Sequence, residues 1–142
     1  MKSKAKAAGC WLFKEEPNHY SYSDLERDGS TTWEGIRNNL ARQNLWKVRR
    51  GDRVLYYHTG QERAIVGEMR VVDDPAQDPA DDDPKAVVVK VEAVRRWPQP
   101  VTLDQIKADK AFAGWDLLRL PRLSVVAVTP EQWKQLERKS GL

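Results

Sequence analysis

The chain has one cysteine, Cys10, and two histidines, His19 and His58, in 142 residues. A single thiol closes no internal disulfide, and without a second Cys the usual structural zinc sets are out of reach. No apolar run approaches the roughly 20 residues that cross a bilayer, and residues 1–8 lack the apolar middle of a secretion signal. A Gly-rich phosphate loop and a nucleophile elbow are both missing, which removes most catalytic templates. These absences predict a soluble, intracellular, cytoplasmic protein with no membrane partner, no cofactor and no metal.

At 16.3 kDa the chain is long enough for one hydrophobic core and short for two. The reading is a basic, disordered tail over residues 1–8 and a single domain over 9–142. The net charge of +3 resides in Lys2, Lys4 and Lys6; without them 21 basic residues face 21 acidic ones. Long-range attraction to a polyanion is therefore modest, and the distribution of charge matters more than its total. Between Arg37 and Arg53 stand six cations (Arg37, Arg42, Lys47, Arg49, Arg50, Arg53) and one acid, Asp52. Asp73, Asp74, Asp78, Asp81, Asp82 and Asp83 form a run free of cations. This predicts a basic surface and a solvated acidic loop over 73–84, either solubilising or set to repel nucleic acid from the wrong face.

Cys10–Phe13 reads as a buried strand. Ser21 and Asp24 cap a helical turn ending near Asp28-Gly29. Ile36–Val48 has helical spacing with Ile36, Leu40 and Ala41 inward. After the turn Arg50-Gly51-Asp52, Arg53–Thr59 and Ala64–Val72 read as an antiparallel strand pair, with Gly67 a bulge that lets a small sheet curl. Ala86–Val94 is a further strand, which Trp97-Pro98-Gln99-Pro100 should end. Thr102 caps a helix to Ala108, Leu117–Arg122 is irregular, Ser124–Val128 is the last strand, and Thr129-Pro130 opens a closing helix. Strands in the middle and short helices at the ends make an α+β domain, most economically a small, mainly antiparallel barrel.

Trp33-Glu34-Gly35-Ile36-Arg37-Asn38 brings together a stacking ring, a flexible joint, a forked cation and an amide. These are parts for holding a flat heterocycle and its phosphates. Trp33 is read as a stacking face, whereas Trp11 and Trp133 go to the core. Trp46 lies between Arg42 and Arg49 at helical spacing, as surface packing. Glu16 can accept from the exocyclic amino group of cytosine or pair with Lys14. His58 is either an imidazole bonded to backbone or a pocket hydrogen-bonder. Arg119 and Arg122 can clamp phosphates.

Several separated motifs then resemble, in order, those of the EVE domain family. They are Trp11-Leu-Phe-Lys-Glu-Glu-Pro17, Tyr20-Ser21 with Asp24-Leu25, Trp33–Asn38 with Ala41-Arg42, Gly51–His58, Ile65-Val-Gly67, Pro100–Leu103 and Leu117–Arg119 through Arg122–Val125. The resemblance covers nearly everything from Cys10 to Trp133. It implies a PUA-like fold, a curled sheet with short flanking helices, related to YTH and ASCH domains. It also implies a non-enzymatic, base-flipping reader of a modified nucleobase, above all modified cytosine in DNA. By that analogy the base pocket is lined by Lys14, Glu16, Pro17, Trp33, Arg37, Asn38, Tyr57, His58, Thr59, Leu118 and Arg119. Arg42, Arg49 and Arg122 would hold the nucleic-acid backbone. An RNA-binding module and a sensor of a free nucleotide or small heterocycle are the alternatives, and an enzyme would need a Cys10/His58 pair or Glu16 as base.

Overall fold

Five short helices decorate a seven-stranded sheet in the computed structural model, which describes residues 9–142. The basic tail expected over residues 1–8 lies outside the described residues. The strands are β1 (Cys10–Glu15), β2 (Ser30–Trp33), β3 (Arg53–His58), β4 (Ala64–Val71), β5 (Ala76–Gln77), β6 (Val87–Thr102) and β7 (Val125–Val128). The helices are α1 (Tyr22–Asp28), α2 (Asn39–Lys47), α3 (Leu103–Lys107), α4 (Asp116–Arg119) and α5 (Pro130–Lys139). This is the α+β class expected.

The main path runs β2-β6-β4-β3-β1-β7, with β5 added to β6. Every pairing is antiparallel except β1 with β3, which run parallel with Cys10 opposite Arg53 and Glu15 opposite His58. β1 and β2 stand four places apart in this order, which in a flat sheet separates them by roughly 19 Å. Yet the rings of Phe13 on β1 and Trp33 on β2 approach to 5.5 Å, and Trp33 meets Tyr56 of β3 edge-on at 5.4 Å. The sheet therefore curls over its own interior without closing into the barrel expected.

Gly67 permits that curl. A Cβ there would stand 2.6 Å from the ring of Tyr22, whose hydroxyl donates to the Glu68 carbonyl at 2.7 Å. The β3–β4 register shifts between Tyr56 and Tyr57, beside this close approach, as expected of a bulge. Burial raises the pKa of the Tyr22 hydroxyl to about 12.

Four expectations are corrected. β6 runs straight through Trp97–Pro100: its partner β4 pairs Gly67 with Arg96 and Ile65 with Val101, so both prolines fall in a gap in the ladder where no N–H is needed. Helix α2 starts at Asn39, because Gly35 at φ 76° turns the chain and Asn38 Oδ1 accepts from Ala41 N–H at 2.9 Å as the cap. Leu40 is consequently 40% exposed, not inward, and Ala41 and Leu45 take the core face. The start of the segment read as irregular, Leu117–Arg119, belongs to one helical turn, Asp116–Arg119. Trp11 is half-buried, its indole N–H donating at 2.9 Å to Asp52, a buried carboxylate that also accepts from the N–H groups of Gly9 and Arg49.

Capping boxes at Ser21/Asp24, Thr102/Gln105 and Thr129/Gln132 fix the starts of α1, α3 and α5 where the sequence put them. Trp133 is fully packed, edge-on to Trp97.

Candidate nucleic-acid interface

One end of the sheet gathers most of the residues singled out in the sequence. β1 ends at Glu15 beside the end of β3, and Thr59 N–H donates to the Glu15 carbonyl at 3.0 Å. This places Glu16 against the turn after β3: Thr59 Oγ1 donates to Glu16 Oε2 at 3.4 Å, and a Cβ on Gly60 would stand 2.9 Å from the same oxygen. Pro17 follows at half-burial. Lys14 sits 5.7 Å over the Tyr57 ring and donates through Nζ to the Pro121 carbonyl at 2.9 Å. Burial lowers the Lys14 pKa below the ordinary lysine range.

Four clefts touch the single stretch from Thr31 to Leu40, one of them along α2 between Asn39, Gln43, Trp46 and Lys85. Of the other three, the first, about 230 Å³, is lined by Glu15, His19, Tyr20 and Thr31–Glu34, with Trp33 among them. The second, about 200 Å³, takes Glu34–Arg37 and Arg42 together with Asp78 and Asp81. The third, about 290 Å³, joins Asn38 and Leu40 to Arg119–Leu123 and is the most apolar of the three. A larger cleft of about 350 Å³, between Arg50, Arg70 and Glu92, holds none of the expected base-pocket residues. Arg70 and Glu92 pair across it.

Arg37, Asn38, Arg119 and Arg122 are exposed at these clefts. Arg37 and Arg122 make no hydrogen bond or ion pair among the described residues, while Arg119 pairs with Asp116 at 2.7 Å. Asn38 spends its carbonyl oxygen on the cap of α2, and its amide N–H groups make no hydrogen bond among the described residues. Leu118 is half-buried against the core. A planar ring in the third cleft would meet leucine side chains, one amide donor and cations on its rim, with Pro121 linking that rim to Lys14.

Five expected contacts are committed to the fold instead. Tyr57 is 4% exposed and belongs to the core. Trp33 is 4% exposed, its ring packed among Phe13 and Tyr56, so it backs the first cleft and offers a ligand no open face. His58 is 6% exposed: Nε2 accepts from the Tyr22 N–H at 3.0 Å, so Nδ1 carries the proton and donates to Glu62 at 2.7 Å. Of the two readings of His58, the backbone-bonded one describes this arrangement. Arg42 is 7% exposed, donating to the Ile36 carbonyl at 2.7 Å and pairing with Asp83 at 2.9 Å, which withdraws it from any phosphate. Arg49 turns its Nη1 onto the Trp46 and Val48 carbonyls at the end of α2. Trp46 is half-buried as surface packing, its indole donating to the Lys85 carbonyl at 3.2 Å.

Leu40, Leu120, Pro121 and Leu123 line the third cleft without having been counted among the site residues. Their signal was an apolar run, Leu120-Pro121 and Leu123, interrupted by Arg122 in a segment too short for a core element.

The EVE domain family model matches residues 9–139. The chain belongs to this family. Thymocyte nuclear protein 1 of Rattus norvegicus is 31% identical over 157 aligned residues, covering 87% of this chain and 70% of the relative. Protein Atu2648 from Agrobacterium tumefaciens is 34% identical with a TM-score of 0.91, covering 95% of this chain and 94% of its own. Human THYN1, solved in complex with 5-methylcytosine-containing DNA, is 25% identical with a TM-score of 0.85 and covers 95% of this chain and 99% of its own. The curled sheet of this EVE domain is the PUA-like fold expected from its motifs.

Proposed function

We propose that this EVE domain is a non-enzymatic module that binds nucleic acid and reads a modified base, modified cytosine in DNA, drawn out of its strand. The observation that carries the reading is the likeness, across nearly the whole chain, to human THYN1 solved with 5-methylcytosine-containing DNA. The local geometry supports it. The third cleft, floored by Leu40, Leu120 and Leu123, offers apolar contact to a base, and the free Asn38 N–H groups offer hydrogen bonds to its edge. Arg37 and Arg122 are free to hold phosphates, with Lys14 and Arg119 beside them. Extruding a base costs a few kcal/mol, which these contacts must recover.

Catalysis by a Cys10/His58 pair finds no support. Cys10 lies opposite Arg53 and His58 opposite Glu15, five strand positions or roughly 16 Å away. Burial raises the Cys10 pKa, and both His58 nitrogens are engaged.

Oligonucleotides carrying modified or unmodified cytosines and adenines, as DNA and as RNA, titrated at two salt concentrations, test the reading. A preference for one modified base that persists at both salts is expected. Equal affinity for all bases overturns it, and a free nucleoside binding as tightly as the strand identifies a small-molecule sensor.

A further inference from the structure

The acidic stretch expected to stand in solvent is a folded unit. β5 pairs Ala76 with Val88 and Gln77 with Val87. Beyond it, Asp78 N–H donates to the Ala86 carbonyl and Ala86 N–H to the Asp83 carbonyl, each at 3.0 Å. The carboxylates of Asp78, Asp81 and Asp83 accept from the N–H groups of Ala80, Asp83 and Lys85, each at 2.9 Å.

This folding divides the six aspartates. Asp73, Asp74 and Asp82 are exposed, whereas Asp78, Asp81 and Asp83 are half-buried. Asp83 pairs with Arg42, which in turn holds the Ile36 carbonyl, so the loop is tied to the segment that borders the clefts. Asp78 and Asp81 share the 200 Å³ cleft with Arg37. Among the described residues Arg37 forms no ion pair with either acid, but charges lining one cleft of that size stand within or near the Debye length of about 10 Å at 0.1 M salt, where salt screens their attraction only in part. The acids thus stand on the cationic face itself, contrary to a role in guarding a different one.

The geometry points to loop 73–84 as a built-in counter-charge for the nucleic-acid face: Asp78 and Asp81 compete with phosphate for Arg37 and hold down binding to any polyanion. The inference rests on the nucleic-acid reading above. Phosphate contacts are indifferent to sequence and carry most non-specific affinity, and like charge at the approach suppresses wrong partners. With that contribution held down, retention on a strand depends on the base contacts.

The test uses the full chain and two double variants that change the loop charge equally, Asp78→Asn with Asp81→Asn and Asp73→Asn with Asp82→Asn. Asn keeps the side-chain oxygen that accepts from Ala80 and Asp83 N–H, so the loop stays folded. Freeing one phosphate contact should steepen the dependence of log K on log salt by about one and tighten unmodified DNA roughly ten-fold at 0.1 M salt. That gain is expected in the cleft-facing pair well beyond the exposed pair, alike on modified and unmodified DNA, and Arg37→Ala should remove it. If the two double variants match each other or the parent while the parent binds DNA, the counter-charge role is overturned and the reader stands. If neither the parent nor any variant binds nucleic acid at any salt, both fall.

Discussion

The interior around Tyr56 and the rim from Glu34 to Leu40 draw on the same kinds of residue and use them in opposite ways. In the interior, Trp33, Tyr22 and His58 each meet Tyr56 edge-on, the Tyr56 hydroxyl donates to the Tyr20 carbonyl, and both His58 nitrogens have partners. On the rim, Arg37 and Arg122 have no partner among the described residues and Asn38 has one. Aromatic and polar side chains become structural where the curl of the sheet closes over them. They stay available to a ligand where Gly35 and the cap of α2 hold the chain outside that curl. Residue type alone does not separate the two; position relative to the curl does.

The contrast is most severely tested at Gly67. Gly67→Ala drives a methyl group into the Tyr22 ring and should destabilise the protein by about 3 kcal/mol, read as a lower urea midpoint with an unchanged slope. A midpoint equal to the parent's would mean that the interior is looser than the close approach of Tyr22 requires. His58→Leu leaves the buried Tyr22 N–H without an acceptor and should cost about 2 kcal/mol. The folded fraction of that variant should keep its base preference; losing it would move His58 from the interior to the rim.

On the rim the signs reverse. Arg37→Ala and Arg122→Ala should leave stability within about 0.5 kcal/mol of the parent. Arg122→Ala should reduce the salt dependence of DNA binding by about one unit of log–log slope, whereas Arg37→Ala should approach that loss only once Asp78 and Asp81 are neutralised. Unfolding by either substitution would show that these arginines belong to the structural set.

The smallest effect concerns Lys14, on the border between the two regions. Burial lowers its pKa, so its positive charge, and any phosphate contact it makes, is lost as pH rises before an ordinary lysine near 10.4 would titrate. Lys14→Arg should flatten that part of the binding profile. The unfolded chain binds more protons than the folded one between the lowered and the ordinary value, so Lys14 makes stability rise with pH across that window, and Lys14→Arg should remove the rise.

Much of the architecture was legible because local chemistry fixed it. The three capping boxes, Pro130 at the start of α5, the bulge at Gly67 and the apolar runs of β3 and β4 all stood in the sequence. What escaped notice depends on distant partners. β2 is four residues long and follows directly on Gly29, so it reads as a joint until β6 supplies its ladder. The prolines of β6 are tolerated only because β4 skips that part of the register. Among the candidate site residues, Asn38, Arg119 and Arg122 line one cleft, and Lys14 reaches the Pro121 carbonyl on its rim. Arg42 was drawn away by Asp83, a pairing across 41 positions that no local pattern announces.

The placement of β1 bears on how the chain is made. Its outer neighbour β7 pairs Cys10 with Val128 and Phe13 with Val125, joining the two ends of the described chain. During synthesis β1 must wait for β7, more than a hundred residues later, before its ladder is complete on both sides. Such non-local closure slows folding and leaves the Trp11–Phe13 edge open to association in the meantime. A nascent chain halted before residue 125 should therefore be the form most in need of a chaperone.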